Sequence, residues 1–266
     1  MREDLGESGI LFSVADGIAR LVFSRPERRN ALDASMRQAL AEHLKRIEAD
    51  DTIRAVLLTG TGTVFCAGQN LDDPLMRVCD GENPPVGKLL HEEYNPLMRR
   101  LYRCVKPTVC AVNDAAIGGG ANIALACDLV IAARSARFVQ PYVNFGLTLD
   151  AGGSFLLPHR IGQARAMGLA LLGGSIDAET AASWGLIWRV VADEELSAEA
   201  EKTARQLAKG PAAAITAIKA SIKAASANTF DNQLDYERDL QKWLSTTDDY
   251  AEGIRAFKEH RAPVFL

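Results

Sequence analysis

The stretch that most constrains this chain runs over residues 110–153, entered through the strand-like Thr108–Val112. Gly118-Gly119-Gly120 lies near its start, and residues 121–126 then read as a helix. Three consecutive glycines after a strand let the main chain approach a ligand or another segment closely. The first N–H groups of the following helix have no intrahelical partner, so they face whatever docks there. Asp150, in Leu149-Asp150-Ala151-Gly152-Gly153, closes the stretch. Backbone donors beside one carboxylate can hold an oxyanion and move a proton.

The same strand-to-helix alternation recurs along the chain. Ile10–Ala15 and Ile18–Phe23 read as strands joined by the hairpin pair Asp16-Gly17. Asp33 predicts an N-cap for a helix carrying Met36, Leu40, Leu44 and Ile47 on one face, with His43 on the same helix. Residues 53–59 form an apolar run of the kind covered on both faces. It ends at Gly60-Thr61-Gly62, and residues 64–71 read as a short turn carrying Ala67-Gly68. Residues 72–87, with three prolines and two glycines, predict a mobile loop. Leu90, Tyr94, Leu97 and Leu101 then recur at helical spacing, with Pro96 marking a kink or a late start. Leu129–Ala133 is another strand. Helices over 163–172 and 177–184, the latter closed by Gly185, lead to a last strand over 186–191. Beyond Leu196, segments 196–209, 212–227, 230–245 and 249–260 all read helical. The alternation predicts an α/β fold with mainly parallel pairing. The helical tail either drives oligomerisation or covers one face of the core.

Composition narrows the function. The chain has 266 residues, 48% hydrophobic, enough to bury a large core. Its net charge of -4 gives no general attraction for nucleic acid or an anionic membrane. No apolar run reaches the length of a bilayer span. The start, Met1-Arg2-Glu3-Asp4, lacks the order of a leader peptide, so a cytoplasmic location is expected. Cys66, Cys79, Cys104, Cys110 and Cys127 are odd in number and contain no CxxC pair, which fits reduced thiols in a core. With only His43, His91, His159 and His260 beside them, all read as surface or structural, no metal site is expected.

Several motifs line up in one order. They are Phe23-Ser24-Arg25-Pro26-Glu27-Arg28-Arg29-Asn30-Ala31-Leu32, and Val56-Leu57-Leu58-Thr59-Gly60 followed by Phe65-Cys66-Ala67-Gly68-Gln69-Asn70-Leu71. Lys106-Pro107 through Gly120 and Cys127-Asp128-Leu129 come next, then Ala181-Ala182-Ser183-Trp184-Gly185-Leu186-Ile187. Together they cover nearly the whole chain and resemble the crotonase (enoyl-CoA hydratase/isomerase) superfamily. The resemblance implies an α/β crotonase-type spiral of repeated ββα units over residues 1–195, holding an acyl-CoA site. It implies a C-terminal helical oligomerisation segment over 196–266, giving a homotrimer or a dimer of trimers. The implied substrate is an acyl-CoA thioester, with no cofactor beyond the coenzyme A that the substrate carries. Nucleic-acid and membrane partners are not expected.

By that resemblance the N–H groups of Gln69 and Gly119 donate to the thioester oxygen, where fixed amide dipoles stabilise an enolate without reorganising. The coenzyme A moiety would lie along residues 25–31 and 67–71, engaging Arg28, Ala31, Ala67, Gly68, Asn70 and Leu71. The acyl group would lie near Asn122, Tyr142 and Phe145. A hydratase of the family uses two glutamates, and the matching positions here hold Asn122 and Tyr142. Asn does not titrate, and Tyr ordinarily does so near 10. Asp150 remains, at the position where isomerases of the family carry a catalytic aspartate. Its plainer role is an N-cap for the helix that follows.

Tyr94-Asn95-Pro96-Leu97-Met98-Arg99-Arg100-Leu101, residues 132–139, 162–173 and 184–191 are similar to the isomerase branch in particular. Asp114-Ala115-Ala116-Ile117 and Gln140-Pro141-Tyr142-Val143-Asn144 depart from it. The expectation is an acyl-CoA isomerase in which Asp150 shuttles protons. The alternatives are a hydratase-like or nucleophilic reaction on another acyl-CoA, and a non-catalytic scaffold or nucleic-acid binder. The acidic balance and the lack of an aromatic-basic patch count against the last.

Overall fold

The computed structural model describes residues 2–4, 8–76 and 83–265. The strands are β1 (Arg2–Asp4), β2 (Ile10–Ala15), β3 (Ile18–Phe23), β4 (Ala55–Gly60), β5 (Val64–Cys66), β6 (Thr108–Val112), β7 (Ala115–Ile117), β8 (Leu129–Ala133), β9 (Arg137–Val139), β10 (Ser175–Asp177) and β11 (Arg189–Val191). They form a seven-stranded sheet of order β1-β2-β3-β4-β6-β8-β11 and a four-stranded sheet of order β10-β9-β7-β5. The chain repeats one move. A longer strand (β4, β6, β8) enters the large sheet, a three-residue strand (β5, β7, β9) enters the small one, and helical chain follows. Within the large sheet the β3-β4-β6-β8-β11 pairs are parallel, and β1, β2 and β3 pair antiparallel. In the small sheet β5, β7 and β9 pair parallel, and β10 joins β9 antiparallel. This is the spiral of ββα units that the family resemblance implies.

Local chemistry explains the elements. At the β2–β3 turn Asp16 and Gly17 both have positive φ, 55° and 71°, as a two-residue hairpin loop of this kind requires. Helix α1 (Ala34–Ala49) starts where Asp33 accepts a 3.0 Å hydrogen bond from Met36 N. Met36, Leu40, Leu44 and Ile47 are buried, and His43 also points inward, stacked on Phe12 with ring centroids 4.5 Å apart. All five residues of β6 are buried, as expected of a strand covered on both faces. Cys66, Cys104, Cys110 and Cys127 are buried free thiols, and Cys79 lies outside the described residues.

Several features depart from the expectation. The small sheet is built of strands too short for an alternating pattern to register. Residues 74–76 form a 3₁₀ turn and a helix has begun by Val86, so the expected loop is shorter; residues 77–82 lie outside the described residues. Pro96 neither stops nor delays its helix. The helical path runs unbroken through α2 (Val86–Leu89), a π-helical turn (Leu90–Tyr94) and α3 (Asn95–Arg103). A proline removes one N–H and crowds the carbonyl four residues back, and a wider turn ahead of it relieves both. The wider turn also brings Leu89 and Tyr94, five residues apart, onto the buried face.

Helix α4 (Gly119–Ala126) is wholly buried. Helix α5 (Gly153–Leu171) starts well before residue 163 and breaks at Gly162, whose φ of 77° only glycine adopts freely. Asp177 caps α6 (Ala178–Ser183). Helix α7 (Leu196–Ala208) buries Leu196, Ala200 and Ala204 in the main core, which therefore extends past residue 195. Helix α8 (Ala212–Ala224) is tied to the body by Lys219 and Lys223, both paired with Asp128. Helices α9 (Phe230–Leu244) and α10 (Asp248–Lys258) bury almost nothing in the single chain. Among the described residues no helix is long and apolar enough to cross a membrane.

Phe65, wholly buried, meets Phe23 edge-to-face at 5.4 Å where the chain passes from β4 of the large sheet to β5 of the small one. Phe65→Ala is expected to lower stability by about 3–5 kcal/mol. Urea unfolding followed by circular dichroism checks this, and a loss below 1 kcal/mol would mean that the core closes around the gap.

Candidate active site

Two loops from successive ββα units meet backbone to backbone. Gly68 has φ 82°, and a Cβ there would sit 2.7 Å from Ile117 O and 3.4 Å from Gly119 N. A Cβ on Gly120 would collide with Cys66 O. Glycine is thus required on both sides of the contact. The Gly68 loop is also held from behind. Leu32 N donates to Gly68 O at 2.7 Å, and Asn70 N donates to Leu32 O at 3.0 Å. This parallel bridge uses groups of residues 68 and 70, so the N–H of Gln69 faces the opposite side. Ala67 N donates to Arg29 O, and the wholly buried Asn30 donates from Nδ2 to Thr61 O and Val64 O. Across the contact, Gly119 is the first residue of α4, and its N-cap Gly118 has no side chain to satisfy the leading N–H groups.

The acid sits beside these donors. Asp150 does not cap α5, whose N-cap is Gly152. Instead its Oδ1 accepts from Tyr142 Oη at 2.5 Å. Asn122 Nδ2 donates both to Asp150 O at 2.9 Å and to Tyr142 Oη at 3.0 Å. Gln140 Nε2 donates to Asn122 Oδ1 at 3.0 Å. The direction of this chain is forced. A backbone carbonyl only accepts, so Asn122 must present its NH₂ to Asp150 O. That NH₂ also occupies the Tyr142 oxygen, which leaves the phenolic hydrogen for Asp150 Oδ1. Gly153 makes room, since a Cβ there would lie 2.6 Å from Asn122 Nδ2.

Electrostatics follow from burial. Desolvation raises the Asp150 pKa above the ordinary carboxylate value, while the Tyr142 hydrogen bond pulls the other way and loses. Burial, then the neighbouring Asp150 charge, pushes the Tyr142 hydroxyl far up, so it remains a protonated donor at neutral pH. A Cβ on Gly119 would lie 3.9 Å from Asp150 Oδ1 and 3.8 Å from Tyr94 Cε1. The space over that glycine is therefore flanked by a carboxylate and an aromatic edge. The arrangement can exchange a proton with a bound group beside an N–H that can hold negative charge. Among the described residues no cluster of His, Cys, Asp and Glu could hold a metal ion.

Of the residues singled out from sequence, Gly68, Gln69, Gly119, Asn122, Tyr142 and Asp150 come together. Ala67 and Asn70 serve the loop itself, and Ala31 donates to Arg28 O in the adjoining turn. Arg28, Leu71 and Phe145 stand exposed on the single chain. Sequence reasoning passed over three residues of the site. Tyr94 was visible only as one apolar position of a helical face, yet its hydroxyl donates to Gln69 Oε1 at 2.7 Å. Arg37 lay unremarked in α1, yet it is wholly buried and also donates to Gln69 Oε1. Gln140 was noted only as a departure from relatives.

The family model for enoyl-CoA hydratase/isomerase matches residues 13–266, and this chain belongs to that family. It is 50% identical to the 1,2-epoxyphenylacetyl-CoA isomerase of Escherichia coli K12, covering 96% of this chain and 97% of that protein. It is 34% identical to the trans-2-decenoyl-acyl-carrier-protein isomerase of Streptococcus mutans, over 96% and 97%. The crystal structure of an enoyl-CoA hydratase from Bacillus anthracis superposes with a TM-score of 0.90 at 29% identity, over 97% and 98% of the two chains.

The raised pKa of Asp150 has a consequence for stability. Its folded-state value lies above the unfolded one, so its ionisation works against folding. Asp150→Asn should therefore match the wild type at pH below the ordinary carboxylate range and become the more stable of the two as pH rises through the Asp150 pKa. Melting temperature against pH for both proteins checks the sign, and a variant less stable at neutral pH would contradict it.

Proposed function

We propose that this protein is an acyl-CoA isomerase in which Asp150 moves a proton between two carbons of the acyl group. The N–H groups of Gln69 and Gly119 hold the thioester oxygen. Asp150 takes a proton from a carbon acidified by the thioester, and the electron pair flows onto that oxygen as an enolate. The proton then returns to a different carbon, the pair flows back, and the double bond has moved. No atom is gained or lost, and no cofactor is needed beyond the coenzyme A of the substrate. Asp150 Oδ1, which accepts from Tyr142, also faces the space over Gly119, so the carboxylate is oriented toward the substrate through that oxygen.

One observation carries this reading. The two positions where a hydratase of the family has glutamates hold Asn122 and Tyr142, and both are hydrogen-bonded to Asp150. A neutral amide and a protonated phenol supply no general base for water. Here the phenol donates to the carboxylate, and the amide holds the phenol oxygen and the Asp150 main chain. Substrates to test are 3-enoyl-CoA and 2-enoyl-CoA esters and the 1,2-epoxyphenylacetyl ester named for the Escherichia coli relative. Arg28, Ala31, Ala67, Gly68, Asn70 and Leu71 are assigned to coenzyme A, and Phe145 to the acyl end. We place the enzyme in the cytoplasm. We assign residues 196–266 a role in trimer or hexamer assembly, supported by Phe230, Trp243 and Phe257, which are 77%, 50% and 81% exposed on a single chain.

The test is turnover of these esters by the purified protein. Asp150→Asn should reduce isomerisation by about 10²- to 10⁴-fold. Binding of the same esters should change little, because the amide keeps the carboxylate's shape. Undiminished turnover would sink the assignment, and rapid hydration of crotonyl-CoA would favour a hydratase. The Tyr142 hydrogen bond lowers the Asp150 pKa. Tyr142→Phe should thus move the acid limb of the kcat/KM profile to higher pH, and a limb that stays put would remove Tyr142 from the proton-transfer unit.

A further inference from the structure

Arg37 is buried with 2% of its surface exposed, and its guanidinium donates to Leu32, Gln69, Asp73 and Glu93 around the Gln69 loop. Nη1 donates to Gln69 Oε1 at 2.9 Å and to Leu32 O, the far side of the bridge to Gln69, at 3.1 Å. Nη1 and Nη2 both reach Asp73 Oδ2 at 3.3 Å, where the loop ends. Nε donates to Glu93 Oε2 at 2.7 Å. Burial opposes the guanidinium charge, but the hydrogen bond and field of Glu93, with Tyr94 and Asp73, more than offset it, and the pKa rises. Tyr94 adds a second tie, its hydroxyl on Gln69 Oε1 and its ring 5.3 Å from the guanidinium carbon. The Gln69 amide is thereby fixed at both ends, since Nε2 donates to Asn70 O at 2.9 Å.

The backbone that delivers Tyr94 and Glu93 is itself unusual. Both belong to the π-helical turn, and such turns recur at functional sites because they re-aim side chains. Here the turn sends two adjacent residues to one target, Glu93 to Arg37 and Tyr94 to Gln69. A buried arginine held by two carboxylates contributes little net stability, because desolvation cancels most of the Coulombic gain. What such a cluster does supply is fixed geometry.

We propose that Arg37 and Tyr94 are positioning residues that aim the Gln69 N–H at the substrate thioester oxygen. This rests on the reading of Gln69 and Gly119 as the oxyanion donors. The Gln69 side chain serves as a handle. Two donors grip Oε1 on the protein side, and the backbone N–H is left presented on the other. The Tyr94 ring edge beside Gly119 makes the same residue a wall of the space over that donor.

The test uses cinnamoyl-CoA labelled with ¹³C at the thioester carbonyl. Its γ-carbon is a ring carbon without hydrogen, so it cannot be isomerised and reports ground-state polarisation only. Difference infrared spectra should show the carbonyl stretch of the wild-type complex shifted to lower frequency. Tyr94→Phe, which keeps the ring, and Arg37→Met should each lose part of that shift. Their kcat should fall by about 10- to 100-fold, the scale of a misplaced catalytic group, with KM nearly constant. The acid limb of the pH profile should stay where it is, because Asp150 is untouched. If Arg37→Met fails to fold, Tyr94→Phe decides alone. Variants that bind with the full carbonyl shift, or that lose affinity and melting temperature without losing the shift, overturn the positioning role. A wild-type complex with no shift overturns the oxyanion reading itself.

Discussion

The structure depends on one contact, the main chain of residues 66–68 pressed against the main chain of residues 117–120. No side chain can stand between them, since a Cβ on Gly68 or Gly120 would lie inside the opposing backbone. Close approach of two peptide segments is what lets N–H groups from distant parts of the chain reach one small space. It also explains the ββα repeat from the site's point of view. β5 and β7 pair in the small sheet, and that pairing brings the turn after β5 alongside the start of α4. The small sheet, though only three residues deep, registers the two loops against each other.

Two polar systems are built around this contact, and they do different work. One runs from Gln140 through Asn122 and Tyr142 to Asp150, with Asn122 donating to the Asp150 backbone carbonyl and Tyr142 ending the chain on the carboxylate. Its direction is set by a carbonyl that can only accept, which leaves the Tyr142 hydroxyl as the donor to Asp150. The other gathers Arg37, Glu93, Asp73 and Tyr94 around the Gln69 side chain. The first directs the Tyr142 hydroxyl onto the Asp150 carboxylate, and the second holds both ends of the Gln69 side-chain amide. They meet over Gly119, with Asp150 on one side and the Tyr94 ring on the other.

Much of this could be read from residues in order. The Asp16-Gly17 hairpin, the Asp33 cap and the strand Thr108–Val112 carry local signals that do not depend on partners. The roles of Asn122 and Tyr142 could be read only in part. Their identities ruled out a pair of carboxylates, but their placement as donors to Asp150 needed the third dimension. Asp150 looked like a helix cap because Asp before a helix usually is one. It is not, because the residue that begins α5 lies further on, after the turn through Ala151 and Gly152, both at positive φ. Pro96 looked like a kink or a late helix start, and a π-helical turn ahead of it keeps the helical path continuous instead.

By itself the sequence determined the alternation of strands and helices, the glycines that permit a close backbone approach, and the single carboxylate left in the site. Those properties belong to single residues or short windows, where conformational preference and side-chain chemistry act directly. Only the tertiary structure decided that Arg37 and Tyr94, from helices far apart in the chain, close on Gln69. It alone decided that Asn122 and Tyr142 are tied to the acid. Hydrogen bonds between remote residues depend on angles and distances that the packing of two sheets sets, and no local pattern encodes them.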